Sequence, residues 1–254
     1  MLISLKHNFA FLCNEKCASV SIEAMLRDYS DILLAGPPAF RHTNYRLYAR
    51  YFAPYLEDTA GGRGIETICL VREPLSRLYS YYRFRSRHQL RGRHNPRHDQ
   101  STQGISFPDF VASCMQPEPP PYARIGKQFD FVRNDRNEIG VDRIFLFEHI
   151  DEFIRYMSAK VGHKLTIEYR NISPARNRQL GLFALADRAA ARARRLLKVA
   201  PPANSPCPDP QLPESLLRSF RALMHEDYAL YEHASRSRPI SMSDASVSRA
   251  ESAV

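Results

Sequence analysis

Two short runs carry the residue types best suited to chemistry. In Asn14–Ser21, Lys16 is followed by Cys17, Ala18, Ser19, Val20 and Ser21. In Val71–Tyr82, Arg72 is followed by Pro74, Arg77 and Ser80. Each run begins where an apolar segment ends, Phe9–Cys13 before the first and Glu66–Val71 before the second. A turn from a buried parallel strand into a helix aims backbone N–H groups and the positive helix end at one spot, where a phosphate or sulfate is stabilised. Lys16 adds a full charge to such a spot, and Ser19 and Ser21 add hydroxyl donors. Arg72 offers a planar fork to a phosphate, with Ser80 about two helical turns further on as a second donor. The first run lacks the glycines and the Gly-Lys-Ser/Thr ending of a Walker A loop. Plainer readings remain open for both runs: a helix start capped by Ser19 or Ser21 with Lys16 in solvent, and an Arg72 paired with a carboxylate such as Glu73.

Between the runs lies His42, in Phe40–Asn44. An unperturbed imidazole titrates near ~6.5, so it can accept a proton at neutral pH. Glu23, on the helix expected after the first turn, is the rival base. Residues 83–98 hold Arg83, Arg85, Arg87, Arg91, Arg93 and Arg97 with His88, His94 and His98. They read either as a solvated charged loop or as a strip for an anionic acceptor, with Arg85, Arg87 and Arg91 as its contacts.

The elements that must position these residues follow from the hydrophobic pattern. Strands are expected at 9–13, 66–71 and 142–147, and helices at 19–27, from Pro74 through Tyr82, through Met157, at 183–198 and at 214–231. Tyr45, Tyr48, Tyr51, Phe52 and Tyr55 recur at helical spacing and read as core rather than as a sugar platform. Strands alternating with helices predict an α/β fold whose central parallel sheet is flanked by helices. Residues 84–104, 116–122 and 200–213 read as irregular. The Ser/Ala/Arg-rich stretch 235–254 reads as a disordered tail, leaving one domain over 1–234.

Taken together, Lys16-x-Ala18-Ser19-x-Ser21 after one strand and Val71-Arg72-x-Pro74-x-x-Arg77-x-x-Ser80-x-Tyr82 after a later one resemble the PAPS-dependent sulfotransferases. The carbohydrate sulfotransferases and their bacterial relatives are the nearest in pattern. Phe147–Ile150, Asn171–Pro174 and the Asp227…Tyr231 spacing resemble further segments of that family, so the likeness spans about residues 1–232. It implies a P-loop-like fold and a co-substrate, 3′-phosphoadenosine 5′-phosphosulfate (PAPS), without a metal. Lys16, Cys17, Ala18, Ser19, Val20 and Ser21 would surround its 5′ end, and Arg72 and Ser80 would hold its 3′-phosphate. Lys16 would stabilise the leaving group, His42 would act as base, and the acceptor would be a hydroxyl, with a saccharide as the expected class. Val20 stands where relatives often place Thr, which removes one hydroxyl donor.

Composition bounds these expectations. The 254 residues hold 36 Lys+Arg against 27 Asp+Glu, a formal charge of +9 that calls for an anionic partner. With 44% hydrophobic residues, wholesale disorder is excluded. A mean hydropathy of −0.42 and the lack of any apolar run near ~20 residues predict no transmembrane segment. Five cysteines without metal-ligand spacing predict no metal site and a reducing compartment. The first residues lack the pattern of a secretory signal, so a cytoplasmic location is expected. No nucleic-acid-binding motif is present, and the oligomeric state is left open. A P-loop-like kinase and a non-enzymatic polyanion binder are the competing classes; the first would need a Walker Lys-Ser/Thr and a metal-binding Asp, neither of which is evident.

Overall fold

A computed structural model describes residues 1–87, 98–168 and 212–236. Its centre is a five-stranded mixed sheet flanked by helices, with β1 (Leu2–Ser4), β2 (Phe9–Leu12), β3 (Ile32–Leu33), β4 (Glu66–Val71) and β5 (Arg143–Leu146) in the order β3-β1-β2-β4-β5. The expected parallel sheet is realised in β2, β4 and β5. The all-parallel expectation is corrected at the other edge, where β1 runs antiparallel to both β2 and β3. The reason is the length of the connection. Only Leu5–Asn8 separates β1 from β2, and a parallel partner needs a crossover of a dozen or more residues. Asn8 takes the turn at φ 52°, a conformation asparagine tolerates better than most residues.

Alternate residues of the strands feed opposite faces. Ile3, Ala10, Leu12, Cys69 and Val71 face one core with Tyr48, Leu56, Val132, Leu230 and Ala234. Those partners come from α3 (Tyr45–Tyr51), α4 (Ala53–Thr59), α7 (Gln128–Val132) and α10 (His225–Arg236). Leu2, Phe9, Phe11, Ile68 and Leu70 face the other core, closed by Ile22 and Leu26 of α1 (Ser19–Leu26) and by Phe153 and Met157 of α8 (Ile150–Val161). A third cluster joins Leu78 and Tyr81 of α5 (Pro74–Arg85) to Phe107 and Phe110 of α6 (Phe107–Cys114) and to Phe220 of α9 (Glu214–Leu223). Burying both faces is what lets β4 run apolar from Ile68 to Val71, while the buried Thr67 donates to Asp142.

Several expected elements take different bounds. The aromatic stretch 45–55 is two helices, because Pro54 lacks the N–H that would continue α3. Tyr48 alone of its tyrosines is buried, whereas Tyr51 and Tyr55 are 62% and 71% exposed, so the core reading holds for one face only. The helix expected at 214–231 breaks at Met224 into α9 and α10. The latter continues to Arg236 with Ala234 buried, past the expected domain end at residue 234. A short helix, α2 (Pro38–Arg41), leads into His42. Most of the 235–254 stretch, the 183–198 helix, Asn171–Pro174 and Arg91 lie outside the described residues. Among the described residues, no helix is long and apolar enough to cross a membrane.

Candidate functional site

Strands β2 and β4 are adjacent and parallel, with Leu12 opposite Cys69 near their C-terminal ends. The two runs singled out in the sequence therefore leave the sheet side by side. The first forms a turn over Asn14–Ala18 in which Lys16 and Ala18 adopt left-handed backbone conformations at φ 66° and 60°. Alternating handedness of this kind turns successive N–H groups toward one point. Ala18 is the N-cap of α1 without a side-chain cap bond, and Ser19 Oγ instead donates to the Asn14 carbonyl at 2.8 Å. The expectation of a serine cap is thus replaced by a hydroxyl that braces the turn. Ser21 is buried in the first turn of the helix, and Val20 beside it is half-buried.

Lys16 does not reach into solvent. Its Nζ lies 3.8 Å from the centroid of the Phe84 ring and 5.5 Å from that of Tyr81. Burial and the positive charges of Arg87, Arg72 and Arg85 pull its pKa down to about 8, against the opposing influence of Glu15. The turn therefore gathers Lys16, Arg72 and Arg87, with Glu15 opposing their charge. Cys17, buried beside it, is pushed up to about 12, chiefly by burial, and is a packing thiol rather than a nucleophile.

Arg72 forms no ion pair with Glu73. Its Nε donates to Ser76 Oγ at 3.0 Å, its Nη1 to the Lys16 carbonyl at 3.4 Å, and its guanidinium lies 4.4 Å from the centroid of the Phe147 ring. Glu73 caps α5 by accepting from the N–H groups of Leu75 and Ser76. Ser80 is half-buried two turns along the same helix. Two of the distant segments noted in the sequence, Phe147–Ile150 and Asp227…Tyr231, also converge here. Glu148 accepts from the Glu73 N–H at 3.1 Å and from Tyr231 Oη at 3.3 Å, and Tyr228 Oη donates to Glu73 at 3.2 Å.

His42 stands beside the first turn. Its Nδ1 lies 2.7 Å from the Cys13 carbonyl and donates to it, so in the neutral ring the lone pair is on Nε2. Nε2 is 3.9 Å from a Glu15 carboxylate oxygen, and the other Glu15 oxygen accepts from Tyr81 Oη. Glu23, the rival base, is buried and ion-paired to Arg41 at 3.0 Å, so it anchors the residue before His42. Arg77 is buried too, donating to the Glu15 and Gly126 carbonyls.

The candidate acceptor contacts separate. Arg85 spends its guanidinium on the carbonyls of Pro121, Tyr122 and Arg124, at 3.4, 2.6 and 3.1 Å, which fits a brace for that loop. Arg87 lies 5.1 Å from the Phe84 ring, on the ring that also holds Lys16, and so belongs with the first turn.

Two residues that the sequence reading did not single out complete the arrangement. Gln128, wholly buried at the start of α7, bonds to Asn14 of the first turn and to the Arg72 backbone of the second, and Ser76 orients the Arg72 side chain. The sequence around Gln128, Lys127-Gln-Phe-Asp-Phe-Val132, mixes polar and apolar residues and gives it no distinguishing signal. Among the described residues no cluster of His, Cys, Asp and Glu could hold a metal. Comparison with family models, curated proteins and solved structures returns no match for this chain.

Proposed function

We propose that this chain is a sulfotransferase that moves the sulfuryl group of PAPS to a hydroxyl of an acceptor, a saccharide being the expected class, within a P-loop-like sulfotransferase fold. One observation carries the reading: Lys16 with its left-handed turn, Arg72 and the Nε2 of His42 meet at the ends of two adjacent parallel strands. The residues suit a bisphosphorylated donor. An anion near Lys16 and Arg87 offsets the burial and the repulsion that hold the lysine near 8, and the Arg72 turn supplies a second cationic point. Backbone N–H groups of the first turn suit the 5′ end, so Val20 in place of a hydroxyl residue costs a single donor.

Sulfuryl transfer parallels phosphoryl transfer, so the protein's task is alignment and charge stabilisation. The bond from sulfur to the donor phosphate oxygen breaks as the acceptor oxygen bonds to sulfur. Lys16 stabilises the charge that develops on the departing phosphate, and His42 Nε2 takes the acceptor proton. Glu15, 3.9 Å from that nitrogen, stabilises the imidazolium so formed.

Calorimetry with 3′-phosphoadenosine 5′-phosphate, ATP and an oligonucleotide tests the reading. The first is expected to bind much the tightest, with Arg72→Ala weakening it by about tenfold or more. Equal binding of ATP would favour a kinase, and salt-sensitive binding of the oligonucleotide alone would favour a polyanion binder.

A further inference from the structure

We infer that Gln128 is a positioning residue that fixes the separation of the two turns and so favours a ligand with two separated anionic groups over one with a single group. The inference rests on reading both turns as anion sites. The Gln128 side chain is fully buried. Its Oε1 accepts from the Arg72 N–H at 2.9 Å and from Asn14 Nδ2 at 3.3 Å, and its Nε2 donates to the Arg72 carbonyl at 2.7 Å. The amide thus pairs with both backbone groups of Arg72 as a neighbouring strand would.

The position of this bridge gives it its effect. The β2–β4 ladder ends at the Leu12–Cys69 pair, and beyond it the two chains enter different helices. Asn14 Nδ2 also donates to the Leu70 carbonyl at 3.1 Å, so Asn14 and Gln128 together continue the cross-strand tie past the end of the β2–β4 ladder. Gln128 is itself anchored, because its N–H and that of Phe129 both donate to the buried Asp227, each at 2.9 Å. No other side chain does the same work. Asparagine is a methylene short, leucine offers neither bond, and glutamate keeps the acceptor but turns an oxygen toward the Arg72 carbonyl. A ligand that spans both turns gains from the second contact only when the spacing is already right, whereas a ligand held by one turn is indifferent to it.

The test compares the full chain with Gln128→Leu and Gln128→Glu, using 3′-phosphoadenosine 5′-phosphate, adenosine 5′-phosphate and adenosine 3′-phosphate as probes. Gln128→Leu is expected to weaken the bisphosphate about tenfold and each monophosphate less than about threefold, with Gln128→Glu intermediate. Equal losses on all three probes, or no loss on the bisphosphate, would overturn the inference. Asn14→Ala cuts the bridge from the other side; it is expected to show the same selective loss and serves if Gln128→Leu does not fold. If the unaltered chain binds none of the probes, the anion reading fails, and positioning is then judged by amide hydrogen exchange. Faster exchange at Arg72 and Asn14–Ala18 together, with β5 unchanged, supports it; unchanged turns refute it.

Discussion

Lys16 is charged in a place that resists charge, and this has a definite pH signature. In the unfolded chain its ammonium titrates near the ordinary lysine value of 10.5, and in the fold near about 8. Between those values the unfolded state holds a proton that the native state has lost, so stability rises with pH across that window and is insensitive to this group below it. Lys16→Met should flatten the rise, as read from denaturant midpoints between pH 7.5 and 10. An anion in the turn reverses the preference and recharges the lysine, so 3′-phosphoadenosine 5′-phosphate should take up protons on binding above about pH 8, measured by calorimetry in buffers of different ionisation enthalpy. Ala18 offers a second residue-scale test. At φ 60° its Cβ is strained, and Ala18→Gly should stabilise the fold by ~0.5–1 kcal/mol, seen as a higher thermal midpoint. His42 supplies the third. His42→Ala should lower turnover by ~100-fold or more while leaving bisphosphate affinity nearly unchanged. Lys16, Arg72 and His42 were legible because charge and imidazole are conspicuous beside apolar segments. Gln128 and Ser76 were not, since an amide and a hydroxyl are ordinary residues until folding brings Gln128 to Asn14, 114 positions away in the chain.

At the scale of elements, the pattern of the sequence was most readable where both neighbours were buried. The strands β2, β4 and β5 were legible as apolar runs, and the helices that follow them as amphipathic or proline-started segments. The three-residue β1 and the two-residue β3 were not, because segments so short carry no period of their own and exist only by pairing. Helix breaks were missed for the same kind of reason. Apolar spacing continues through Phe52 and Met224, while the backbone does not. One short helix depends on a single distant carboxylate. Helix α7 spans five residues, too few to persist alone, and its first two N–H groups are both satisfied by Asp227 of α10. Asp227→Ala strands two buried donors and should cost ~2–3 kcal/mol, read from chemical denaturation. Because Gln128 opens α7, the same variant should also weaken the bisphosphate more than a monophosphate.

For the whole molecule, the formal charge of +9 is not spread evenly in its consequences. Lys16, Arg72 and Arg87 collect at one end of the sheet, while Glu66 at the other end pairs with Arg143 and Lys160 at 2.9 and 2.5 Å, and those bonds hold its carboxyl below the usual range. The three cations at the strand ends are brought together from separate turns by topology rather than by composition. Closure of that end depends on residues far along the chain. Residues 212–236 carry Phe220 into the third cluster and Leu230 and Ala234 into the core over one sheet face. They also carry Asp227 to Gln128, and Tyr228 and Tyr231 to the second turn. Removing them opens two cores and releases the supports of both anion turns. A chain ending at residue 211 should therefore lose cooperative thermal unfolding, whereas one ending at Arg236 should melt as the full chain does. A 1–211 chain with native-like unfolding and intact bisphosphate binding would show that the turns hold their spacing without α10, contrary to the contacts that Asp227 makes.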